Sequence, residues 1–148
     1  MMRSLSRSTR LFLVPVAVAA LAACSGLSGP TEPTPDTTPP AVPVQLTPPS
    51  GTAFSHFPRN TTLAWSSVSD PSGPVTYRVE VQYCELAIVG LTCTTRTTWC
   101  GGVLTGTTCN FDFGFELRGR WRARAVDNVG NQSAFSDWWT FTFSPLLI

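Results

Sequence analysis

An all-β fold, an antiparallel β-sandwich of about seven strands, is what most of this 148-residue chain predicts. Three observations carry it. Apolar and polar residues alternate with a period of two: Tyr77, Val79, Val81 and Tyr83 against Arg78, Glu80 and Gln82; Trp121, Ala123 and Ala125 against Arg120, Arg122 and Arg124; Trp139, Phe141 and Phe143 against Trp138, Thr140 and Thr142. Such alternation marks strands with one buried and one exposed face. Turn-forming clusters separate the runs, at Pro48-Pro49-Ser50-Gly51, Asp70-Pro71-Ser72-Gly73, Gly101-Gly102 and Asp127-Asn128-Val129-Gly130-Asn131. Beyond the first segment, no stretch has the 3.6-residue period of an amphipathic helix.

In chain order, Arg3, Arg7 and Arg10 form a basic head and Leu11 to Ala23 an apolar body of thirteen residues. A membrane-spanning helix needs about 20, and Pro15 interrupts this run. Residues 1–23 therefore read as a secretory signal. The motif Leu21-Ala22-Ala23-Cys24 resembles the lipobox of bacterial lipoproteins. The resemblance implies cleavage before Cys24, a lipid on its sulfur, and a membrane as partner through that lipid. It implies a place in the bacterial cell envelope; Ser25, where Asp commonly signals inner-membrane retention, points to the outer membrane. Residues 24–41 follow as a linker. The wider stretch 25–43 has Pro at 30, 33, 35, 39 and 40 and little apolar matter, a composition that predicts a disordered, extended tether.

The folded domain is expected over 42–148. Its strands are predicted at 42–46, 61–66, 77–83, 94–99, 107–113, 121–125 and 139–143. The core expected from these is Trp65, Tyr77, Val79, Val81, Trp121, Phe135, Trp139 and Phe141. The apolar tail 145–148 is expected to cover one end of the sandwich.

Pro43-Val44-Gln45-Leu46 with Pro48, Leu63-Ala64-Trp65, Tyr77-Arg78-Val79, and Trp121 to Asp127 with Gly130-Asn131 occur in an order and spacing that resemble a fibronectin type III domain, a member of the immunoglobulin-like sandwiches. The resemblance implies Trp65 on strand B at the core centre, the Tyr77 segment as strand C, the Trp121 segment as strand F and 139–143 as strand G. Two departures stand out. Gly119 occupies the slot where the family usually has a tyrosine, and the cysteine-bearing stretch 84–109 is longer than usual. Phe135-Ser136-Asp137-Trp138-Trp139 resembles the Trp-Ser-x-Trp-Ser segment of cytokine-receptor domains, which implies that strand-F arginines stack on its rings.

With Cys24 assigned to the anchor, Cys84, Cys93, Cys100 and Cys109 remain. Four cysteines in an exported domain suggest two disulfides with three possible connectivities. Pairing Cys84 with Cys93 and Cys100 with Cys109 brackets two short loops; a nested pairing is the main rival. Zinc ligands come as pairs two to four residues apart, and these cysteines are too widely spaced.

Beyond residue 24 there are seven arginines, no lysine and nine acids, a net charge of −2. No basic excess is left to neutralise phosphates, so nucleic acid is not an expected partner. His56 is the sole histidine, and no hydrolase, metalloprotease or phosphate-loop motif occurs. Asp70, Asp112, Glu116 and Asp127 lack calcium-loop spacing. No catalytic residue, metal or cofactor is expected. The candidate binding surface comprises Trp99, Trp138, Arg120, Arg122 and Arg124, which form either a structural cation–π ladder or a docking surface, since Trp and Arg favour interface hot spots. The function these features predict is a non-catalytic, lipid-anchored binding or scaffolding module with an unidentified protein partner. Carbohydrate binding is the alternative, and a small envelope enzyme the third reading.

Overall fold

Period-two alternation becomes strand wherever it runs long enough. A computed structural model describes residues 32–87, 90–114 and 117–145. The signal segment, Cys24, Ser25, Glu116 and residues 146–148 lie outside these. The strands are β1 (Gln45–Thr47), β2 (Thr52–Phe54), β3 (Asn60–Trp65), β4 (Thr76–Ala87), β5 (Gly90–Thr95), β6 (Thr108–Asp112), β7 (Arg118–Val126) and β8 (Trp139–Phe143). No helix occurs among the described residues. A three-stranded sheet has the order β1-β3-β6 and a five-stranded sheet the order β2-β8-β7-β4-β5. Pairing is antiparallel except between β2 and β8, which run parallel.

The two sheets bury their inner faces against each other. Leu63 and Trp65 of β3 meet Tyr77, Val79 and Val81 of β4, Trp121, Ala123 and Ala125 of β7, and Phe141 and Phe143 of β8. Trp65 lies edge-on to Tyr77 at 5.7 Å between ring centroids and 6.4 Å from Trp121. Aromatic pairs at such separations add about 0.5–1.5 kcal/mol beyond their area burial. Buried Gln45 spans the layers, its Nε2 donating to the Trp121 carbonyl at 3.0 Å.

Both short-loop disulfides are present. Cys84–Cys93 joins directly opposed residues of β4 and β5, and Cys100–Cys109 ties the following loop to β6. Gly119 is a packing requirement: a Cβ there would collide with the Phe141 ring and come within 2.8 Å of the Phe113 ring.

Several expectations are corrected. The segment predicted as strand 94–99 is paired earlier, over β5, and turns at Arg96, whose carbonyl accepts from the Trp99 N–H at 3.2 Å. Three-residue β2 was not foreseen, being too short to display a period. Phe135 is not in the core; it lies beneath arginines on the outer face. Trp139 is only partly buried against the core. At the domain start, Val42, Val44 and Leu46 are exposed while Pro43 and Gln45 are buried, because the Gln45 hydrogen bond sets which face turns inward. The compact unit begins at Pro35, so residues 35–43, assigned by composition to the tether, belong to it; Pro40 and Pro43 are buried.

Candidate functional site

Strand β7 buries Gly119, Trp121, Ala123 and Ala125, which turns Arg120, Arg122 and Arg124 to the other face. Register with β4 sets Arg78 opposite Arg124, Glu80 opposite Arg122 and Gln82 opposite Arg120. The stretch after β7 runs back beside it. Ser136 Oγ accepts from the Ala123 N–H at 3.0 Å and Ser133 Oγ from the Ala125 N–H at 2.9 Å. Two serines thus satisfy backbone donors that β8 does not reach, and they hold Phe135 and Trp138 over the arginines.

The result is an interleaved stack. Phe135 receives the Arg124 guanidinium at 4.6 Å and that of Arg122 at 4.2 Å. Trp138 receives Arg122 at 4.4 Å and Arg120 at 4.3 Å. A second row anchors it from β4. Arg122 Nε donates to Glu80 Oε2 at 2.8 Å and its Nη2 pairs with the same oxygen at 2.7 Å, while Arg120 Nε donates to Gln82 Oε1 at 2.7 Å. Glu80 Oε1 in turn accepts from Gln82 Nε2 and Thr95 Oγ1. Planar guanidiniums that are at once stacked and hydrogen-bonded in-plane are held rigidly, as lysine ammoniums would not be.

Trp99 is not part of this stack. Its ring lies on Phe111 at 5.3 Å and Phe113 at 4.9 Å, with Arg96 at 5.7 Å. It reaches the outer face only at a cavity of about 240 Å³, shared with Arg78, Glu80, Arg96, Arg124 and Phe135. Of the residues singled out from sequence, the structure therefore brings Arg120, Arg122, Arg124 and Trp138 together and joins Trp99 to Arg124 across that cavity. Phe135, a full member of the stack, was assigned to the core; its place was signalled by the Trp-Ser-x-Trp-Ser likeness. His56 Nδ1 lies 2.8 Å from the Ser144 carbonyl and its ring packs edge-on against Phe57.

A second polar cluster joins Asp36 ahead of β1, Asp70 between β3 and β4, and Asp127 after β7, with one carboxylate oxygen from each lying within 4.8 Å of the others. Burial works to raise the Asp127 pKa, but hydrogen bonds from the Asn131 side chain and from the backbone at Asn131, Val129 and Gly130 outweigh it and hold the carboxyl below its ordinary value. Sequence reasoning noted Asp70 and Asp127 and missed Asp36, because nothing local in a Pro/Thr stretch marks a residue that packs on distant loops.

Comparison with known protein families, with curated proteins and with solved structures finds no match to this chain.

Proposed function

We propose that this chain is a lipid-anchored module of the bacterial envelope, without catalysis of its own, that docks an acidic protein segment on the outer face of its five-stranded sheet. The observation that carries this reading is segregation of charge. The chain beyond residue 24 is net negative, yet five of its seven arginines, Arg78, Arg118, Arg120, Arg122 and Arg124, project from one face. The acid paired within that face is Glu80, already engaged by Arg122. A cationic, aromatic-braced patch on an otherwise acidic body attracts an acidic partner. Arg and Trp held in fixed rotamers lose little entropy on binding, so the rigid stack suits a contact surface.

The fibronectin type III reading is supported by strand order: the segments likened to strands G, F and C are the neighbours β8, β7 and β4. The lipid anchor rests on the lipobox and its preceding signal. Stacking of Trp99 on Phe111 and Phe113 leaves it poorly presented as a sugar platform, which favours protein over glycan.

Crosslinking and pull-down from intact cells tests the reading, with the parent chain beside Arg120→Ser, Trp138→Ala and Cys24→Ser variants. The expected result is a partner captured by the parent in a salt-sensitive manner, lost from the two face variants, with Cys24→Ser leaving the membrane fraction. Capture undiminished by both face variants sinks the docking face. Binding to a glycan array, with no protein captured, moves the assignment to a carbohydrate-binding module.

A further inference from the structure

Arg120, Arg122 and Arg124 each stand directly opposite a residue of β4. Two of these three rungs are closed in the same way. Arg120 Nε donates to Gln82 Oε1 at 2.7 Å, and Arg122 Nε donates to Glu80 Oε2 at 2.8 Å. On the third rung the residue opposite Arg124 is Arg78, whose side chain has donors and no acceptor. Arg124 Nε is shut off from solvent and donates to nothing. Exposed Arg78 engages no acceptor either among the described residues.

Glu80, the next acid along this face of β4, cannot close the gap. Its Oε2 is held by Arg122, and its Oε1 accepts from Gln82 Nε2 at 3.2 Å and Thr95 Oγ1 at 3.1 Å. Like charges directly opposite each other on neighbouring strands repel. A charged donor kept from water without an acceptor costs more than a neutral one. One anion set between Arg78 and Arg124 relieves both.

The open rung borders the cavity of about 240 Å³, whose walls include Arg78, Arg124, Phe135 and Trp99. Phe135 carries the Arg124 guanidinium at 4.6 Å, and Trp99 is fixed by its stacking on Phe111 at 5.3 Å. The anion's place is thus flanked by two cations and two aromatic rings.

We infer that this cavity receives a carboxylate, an Asp or Glu side chain of the acidic segment docked on the face, as the missing acceptor of the third rung. The inference rests on the docking reading above and names the group that reading requires at one point. The two closed rungs indicate the chemistry. Their acceptors are planar oxygen-bearing groups, the amide of Gln82 and the carboxylate of Glu80, and a guanidinium fork matches a planar carboxylate with two parallel hydrogen bonds.

The test uses the whole chain with both disulfides formed. Arginine Nε–H signals are followed by ¹⁵N–¹H NMR during titration with capped hexaglutamate, capped hexaglutamine or sodium phosphate at constant ionic strength. Hexaglutamate is expected to shift the Arg124 Nε–H signal to saturation while those of Arg120 and Arg122 move little. Neither hexaglutamine nor phosphate gives a comparable shift. Arg78→Gln weakens hexaglutamate binding at least about tenfold, whereas Arg118→Gln, which removes a charge from the same face away from the cavity, retains the Arg124 shift. Arg78→Glu closes the rung from within: it abolishes the shift and raises Tm by about 2–4 °C. An Arg124 signal unmoved by hexaglutamate, an equal shift with phosphate, equal movement of all three arginine signals, or Arg78→Glu with an unraised Tm overturns the assignment. If hexaglutamate binds the parent without moving that signal and loses affinity in Arg120→Ser, the docking face stands and the cavity's role falls. If hexaglutamate does not bind at all, both fall.

Discussion

Gly119 shows how much a single missing carbon governs. Its neighbours Arg118 and Arg120 face outward, and the space its side chain would fill is taken by the rings of Phe113 and Phe141. Replacing it with alanine drives a methyl into a close-packed core, where overpacking costs about 1–3 kcal/mol. Gly119→Ala should therefore lower the urea midpoint with an unchanged m-value, and an unmoved midpoint would mean that the rings yield freely. At this scale the stack of Arg120, Arg122 and Arg124 was legible, because alternation on one strand dictates which side chains share a face. Trp99 was not. Its ring is turned inward by contacts with Phe111 and Phe113, which are set by tertiary packing and leave no periodic mark.

Each disulfide closes a loop with a sequence separation of 9, so chain-entropy arithmetic assigns each the same roughly 2.5–3 kcal/mol. Their surroundings differ. Cys84–Cys93 joins strands already laddered along six residue pairs. Cys100–Cys109 fixes an irregular loop that carries Trp99 onto the core. The double substitution Cys100→Ser with Cys109→Ser should thus destabilise more than Cys84→Ser with Cys93→Ser, measured by guanidinium unfolding; equal losses would show that Trp99 holds its place unaided. Long elements were readable in the sequence because β4, β7 and β8 repeat the period-two signal several times. Strand β2 offers three residues and no repeat. Strand β1 misleads more actively. Val44 and Leu46 look like its core face, but a polar residue, Gln45, wins the inward position because the carbonyl of Trp121 lies across the core to receive it.

At the scale of the described residues, an early strand meets the last one. Strand β2 pairs with β8 through Thr52 and Phe141, Ala53 and Thr142, and Phe54 and Phe143, while β1 lies in the other sheet beside β3. Passage from Thr47 to Thr52 thus carries the chain from one layer to the other before the central strands exist. The period-two runs foretold an all-β body of two layers; they did not foretell this parallel pair, since a pairing between strands distant in sequence leaves no local trace. Its consequence is temporal. Whether the polypeptide emerges from a ribosome or threads through a translocation pore, the first strand of the larger sheet must wait for the last, so no partial product is native. A chain terminated after Asp137 should remain open to pulse proteolysis at every length of incubation, and a protected fragment at that stage would disprove it. Such late closure, built on contacts far apart in sequence, keeps the larger sheet open until β8 has emerged.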